Sequence, residues 1–168
     1  MVVEQFYRED ALPPTARMVV QQIHREDVLP PTTRGYARDT LTLGWDDRLR
    51  VRGNRRSDGG VAFGLSLPRG TILRGGDSLV LDEAKTVVVV VERPEPVFLI
   101  EPRTPQEWGL FAHHIGNRHL PLMITEAEIV CPDVAGAEQL LEQQHIPFTR
   151  AMLAFTPATS VANHHHHD

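Results

Sequence analysis

The chain has 168 residues, 41% of them hydrophobic, with a mean hydropathy of −0.24 and a formal net charge of −5. That is room for one domain or two small ones, and the charge gives no basic footprint for nucleic acid. No apolar run is longer than Val87 to Val91, which falls far short of the roughly 20 residues of a membrane-spanning helix. The N-terminus shows no basic segment followed by an apolar one, so a cytoplasmic location is the expectation. Cys131 is the single cysteine, which excludes an intrachain disulfide or a thiolate cluster built by one chain. Of nine histidines, only His24 precedes residue 113. The chemistry is therefore expected in the last third.

Residues 1–34 form a tandem repeat. Met1 to Arg17 and Met18 to Arg34 align without a gap and match at twelve of seventeen positions. The unit is too short for a solenoid and reads as a duplicated N-terminal strand and Pro-Pro loop. The second copy is expected to supply the first strand of the domain that follows.

Residues 35–95 read as a small β domain. Val61, Phe63, Leu65 and Leu67 alternate with small or polar residues, the period of a strand with one buried face. Leu49 and Val51 alternate with arginines in the same way. Val87 to Val91 is β-branched and suits a strand buried on both faces. Pro94 and Pro96 mark a boundary.

Residues 96–155 alternate strand and helix. Val97 to Ile100 is a strand. Thr104-Pro105-Gln106-Glu107 starts a helix as a capping box with proline at the first helical position. Trp108, Phe111, Ala112 and Ile115 form its buried stripe, and Gly116 is the expected stop. Leu120 to Ile124 and Ala127 to Cys131 are short strands. Asp133 is the expected cap of a second helix, with Val134, Ala137, Leu140 and Leu141 facing inward. Phe148 to Phe155 makes a final strand. The order βαββαβ is a split, ferredoxin-like unit, so the fold class is α+β. Residues 156–168 have little to bury and read as a flexible tail.

His164, His165, His166 and His167 carry the strongest chemical signal. Neighbouring neutral imidazoles suit nickel, zinc or copper. A purification-tag remnant is the competing reading, and the closing Asp168 favours a native tail. His119 follows the first helix, where a histidine more often complements the helix dipole than binds metal. His113 and His114 point about 100° apart on a helix and chelate one ion poorly. His145 reads as a helix-end residue and Cys131 as a small core residue. No phosphate loop, nucleophile elbow or His-Glu-x-x-His pair is present, so no enzyme is expected. A zinc hydrolase needs three fixed ligands and an open position, which the spacing does not supply.

Gly116-Asn117-Arg118-His119, with Leu120-Pro121-Leu122, resembles the signature of the urease accessory protein E family, the nickel metallochaperones. The stretch Leu41 to Pro96, with Asp58-Gly59-Gly60 and Ser66 to Gly70, is similar to that family's N-terminal β domain. Residues 97–155 are similar to its metal-binding domain. The resemblance implies a peptide-binding-type β module, a ferredoxin-like domain, and a homodimer in which His119 and its symmetry mate share one Ni²⁺, with the two tails completing the coordination. Zn²⁺ and Cu²⁺ are expected to bind in vitro. The implied partners are the urease apoprotein and other urease accessory proteins, including a GTPase. The second histidine pair that some members carry just before the second helix has no counterpart in Val130 to Ala135. The alternative function is a peptide- or protein-binding adaptor with incidental metal binding.

Overall fold

The computed structural model describes residues 18–25 and 28–158. The first repeat copy and His164 to His167 lie outside the described residues. The chain forms two compact units that divide between Val91 and Glu92.

Among the described residues the first unit is β with short helical pieces that include Pro31–Thr33 and Trp45–Leu49. Strands β1 (Val19–Val20), β2 (His24–Arg25), β3 (Ala37–Leu43), β4 (Arg52–Arg56), β5 (Ala62–Ser66), β6 (Asp77–Leu81) and β7 (Thr86–Glu92) follow in order. They form two sheets, ordered β1-β5-β4 and β2-β6-β7-β3. Phe63 and Leu65 of β5 are buried as their alternation predicts, and so is Leu67 just beyond it. Met18 and Val20 join them in one core with Leu41, Leu79, Leu81, Val88 and Val90. The second repeat copy thus supplies strands to both sheets: β1 runs parallel to β5 and β2 antiparallel to β6.

The alternation around Leu49 and Val51 is not a strand. Trp45–Leu49 is a short helix, α1, and pairing begins only at Arg52. Arg48 is buried at 1% exposure and its Nη1 donates to the Leu73 carbonyl at 3.1 Å. A period of two read over so few residues does not separate strand from helix.

The second unit is α+β. Its elements are β8 (Glu95–Ile100), α2 (Pro105–Asn117), β9 (Met123–Ile124), β10 (Ile129–Pro132), α3 (Ala137–Gln143) and β11 (Thr149–Leu153). The sheet order β11-β8-β10-β9 is what a βαββαβ chain gives when each helix crosses over between strands of one sheet. Phe98, Ile100, Ile129 and Cys131 project from the sheet into a core completed by Ile115, Ala137, Leu140 and Leu141.

Asp133 does not cap α3. The cap position is Gly136, in the left-handed region at φ 85°. Asp133 instead accepts from Arg150 Nη1 at 2.9 Å, and Arg150 also pairs with Glu138. Beyond β11, the chain continues past the fully buried Phe155. There the Ala158 N–H donates to the Leu122 carbonyl at 2.6 Å.

Candidate metal centre

The end of α2 positions His119. The helix starts as its sequence predicts: Thr104 Oγ1 accepts from the Glu107 N–H at 3.2 Å, and Pro105 takes the first turn. The Glu107 carboxylate reaches back to the Arg103 N–H at 2.6 Å, one residue earlier than in the usual capping box.

The helix does not stop at Gly116. It runs through Asn117, and Arg118 is the C-cap. The His119 N–H donates to the Gly116 carbonyl at 2.9 Å and the Leu120 N–H to the Ile115 carbonyl at 3.3 Å. These two bonds make a Schellman motif with His119 at its left-handed position, φ 56°. Leu120 packs on the core that contains Ile115, the apolar contact that usually accompanies this motif. The fold therefore turns the chain sharply at His119 and leaves its side chain exposed.

A left-handed conformation costs an L residue roughly 1–2 kcal/mol, a cost that glycine escapes. Two residues better suited to it, Gly116 and Asn117, stand just upstream but inside the helix. Histidine is among the non-glycine residues enriched in this conformation, so the turn alone does not mark His119 as a ligand.

The other histidines are arranged differently. His113 is exposed, and its Nε2 accepts from the Asn117 amide at 2.8 Å. The His113 and His114 rings meet edge to face, 5.9 Å between centroids at 62°. Neither contact converges on His119. His145 closes α3 at φ 55°, as its place after the helix predicts. The Asn117–His113 pair was not evident from the sequence, although an i, i+4 spacing of two polar groups was its available signal.

Cys131 is fully buried, and burial first and Asp133 second push its thiol up to about 12. A thiolate is the form that binds metal, so Cys131 is a core residue. Asp133 is engaged by Arg150. Among the described residues no three histidine, cysteine or carboxylate side chains come together in a set that would hold a metal ion. Within those residues one protomer offers at His119 an exposed imidazole with no second ligand beside it. One monodentate ligand holds an ion weakly, so a site here needs ligands from elsewhere.

Comparison with known proteins identifies the family. Residues 19–92 match the family model described as UreE urease accessory protein, N-terminal domain, and residues 95–168 match the C-terminal domain model of that family. The urease accessory protein UreE of Rhodopseudomonas palustris (strain HaA2) is 38% identical over 135 residues, covering 76% of this chain and 62% of that protein. The chain thus spans less than two thirds of that relative's length. The UreE of Enterobacter sp. (strain 638) is 34% identical over 118 residues, covering 70% of this chain and 78% of that protein. That of Nostoc punctiforme is 31% identical over 128 residues, covering 76% and 86%. These names describe an accessory to urease and not a catalyst. With both domains matched in order, the chain belongs to the UreE family of urease accessory proteins.

Proposed function

We propose that this protein is a cytoplasmic nickel carrier that delivers Ni²⁺ during assembly of the urease active site. Two chains pair so that His119 and its symmetry mate share one ion, and His164 to His167 supply further imidazoles. Its partners are the urease apoprotein and other urease accessory proteins, including a GTPase. Zn²⁺ and Cu²⁺ compete in vitro, since nitrogen sites bind several divalent ions and rise in affinity towards copper.

The observation that carries this reading is His119 itself: an exposed imidazole closing the Gly116-Asn117-Arg118-His119 turn of a domain that matches the UreE C-terminal model. A twofold axis turns one such ligand into two without further design. The Ala158–Leu122 hydrogen bond supports the role of the tail. Leu122 lies three residues beyond His119, and His164 lies six residues beyond Ala158. Six residues span up to about 20 Å and three about 10 Å, so the tail histidines have the reach to arrive at the His119 turn. Exposed ligands on a tether suit a carrier, which must release its cargo.

Equilibrium dialysis with Ni²⁺ tests the reading on the full chain, on a chain lacking residues 159–168, and on that shortened chain with His119→Gly. The expected result is that tail removal lowers stoichiometry but leaves about one ion per pair of chains. The His119 substitution then abolishes it. If the shortened chain binds no nickel, the carrier reading fails in favour of an adaptor.

A further inference from the structure

The N-terminal repeat has a seat in the first unit, and the second copy occupies it. The Met18 carbonyl accepts from the Gly64 N–H at 2.7 Å, and β1 aligns Val19 with Gly64 and Val20 with Leu65. Gly64 leaves room for this approach: a Cβ there would meet the Val19 side chain at 3.3 Å. Met18 and Val20 are buried at 7% and 6% exposure, with Ile23 packed beside them. Arg25 then pairs at 3.0 Å with Asp77, whose side chain is only 2% exposed. Residues 18–25 are thus held by an apolar anchor on one sheet and an ionic anchor on the other.

Each of these anchors exists twice in the sequence. Met1, Val2, Val3 and Arg8 repeat Met18, Val19, Val20 and Arg25 at a constant offset of seventeen. The partly buried Ile23 becomes Phe6, which is still apolar, and the buried Thr33 becomes Ala16, which fits in less space. Glu4 and Tyr7 replace Gln21 and His24, of which Gln21 is exposed and His24 half-buried.

We propose that Met1–Arg17 is an alternative occupant of the seat held by Met18–Arg34, so that the chain exchanges between two seatings that differ by a slip of one repeat. In the slipped seating Arg17 takes the place of Arg34, and residues 18–34 become a loop of seventeen residues before Gly35. Loop-closure cost is a constant plus a three-halves logarithm of length, so a seventeen-residue loop disfavours the slip on the order of a hundredfold. The ordinary seating dominates, and the slipped one is a reserve that limits the damage when the second copy is impaired.

Urea unfolding of five chains tests this: the full chain, the chain lacking Met1–Arg17, each of these with Val20→Asp, and the full chain with Val3→Asp and Val20→Asp together. An uncompensated charge in the core lowers the folding equilibrium constant on the order of a thousandfold, and the shortened chain is expected to show that full loss. In the full chain the loss from Val20→Asp is expected to stop at a value on the order of a hundredfold, set by the slip. Adding Val3→Asp removes the protection. Equal losses from Val20→Asp in the full and shortened chains would overturn the proposal. So would failure of the unsubstituted shortened chain, or of the full Val20→Asp chain, to fold. Protection that appears only with a concentration-dependent rise in solution mass would mean that another chain fills the seat, and would overturn the slip within one chain.

Discussion

His119 and His145 close the two helices of the second unit in the same way. Each is the left-handed residue of a Schellman motif, at φ 56° and 55°. The His145 N–H donates to the Glu142 carbonyl at 3.1 Å and the Ile146 N–H to the Leu141 carbonyl at 2.9 Å, repeating the bonds at His119 three and five residues back. Both side chains are exposed. The backbone cost is therefore shared, while the proposed ligand role belongs to His119 alone.

Glycine at either position is expected to stabilise the unit by about 1 kcal/mol. For a unit of this size that raises the thermal midpoint by about 4–8 °C. Only His119→Gly is expected to lose tail-independent nickel. Calorimetry with nickel dialysis on the two variants checks both halves. If His145→Gly impaired binding equally, or His119→Gly left it intact, the assignment of the ligand would be wrong.

Nickel affinity is expected to fall as pH drops from about 8 to 5.5, the interval over which an ordinary imidazole takes up its proton. Protons and metal compete for the same ring nitrogen. Titration calorimetry across this range provides the measurement. A flat profile would point to carboxylate or backbone ligands instead.

Cys131 is expected to be inert in the folded protein. With its thiol pushed up to about 12 and its side chain fully buried, it offers neither thiolate nor access at pH 8. A thiol-reactive dye should label it only when denaturant opens the core, and Cys131→Ala should leave nickel stoichiometry unchanged. Rapid labelling of the native protein would show that the strand around it opens.

Acid is expected to weaken the first unit partly through Asp58. Its carboxylate accepts from the Thr40 hydroxyl at 2.6 Å, the Thr42 hydroxyl at 2.7 Å and the Thr42 N–H at 3.1 Å. Led by the Thr40 hydroxyl and then the Thr42 hydroxyl, these bonds hold its carboxyl below the usual carboxylate range against the opposing effect of burial. A depressed folded value means that the contribution is present above the unfolded value of about 4 and is lost as pH falls through the lower folded one. Asp58→Asn should lower the thermal midpoint at pH 7 and flatten its decline between pH 4 and 2.5. An unchanged decline would place the acid sensitivity elsewhere, with Asp39, also lowered chiefly by a Ser57 hydrogen bond, the next group to test.

The sequence carried the two-unit α+β organisation because its signals are local. The Thr104–Glu107 start, the stripe from Trp108 to Ile115 and the alternation from Val61 to Leu67 each lie within one element. What it hid depends on distant partners. The stop of α2 was expected at Gly116, the best left-handed residue available, yet the turn falls at His119. With the turn at His119, Ile115 is buried in the core and Leu120 packs against it. The parallel pairing of β1 with β5 joins residues about 45 apart in the chain, which no local pattern encodes. The link from Ala158 to Leu122 was invisible for the same reason.

The start of α3 is the clearest case of competing signals, and it gives the last prediction. Asp133 has the chemistry of a cap, and Gly136 does not. Yet the Leu140 N–H donates to the Gly136 carbonyl at 3.1 Å, and Gly136 holds φ 85°. The Asp133 N–H is committed to the Pro96 carbonyl at 3.0 Å, and its carboxylate to Arg150. Arg150 and Asp133 side chains are 54% and 36% exposed, so their ion pair contributes only a few tenths of a kcal/mol to about 1 kcal/mol. Forcing an alanine into the left-handed region costs about 1–2 kcal/mol. Gly136→Ala is therefore expected to destabilise the protein more than Asp133→Ala. Gly136→Asn should recover part of the loss, because asparagine tolerates that region. Denaturant midpoints of the three variants decide it. A larger loss from Asp133→Ala would show that the helix starts on the aspartate after all, with Gly136 free to take another conformation.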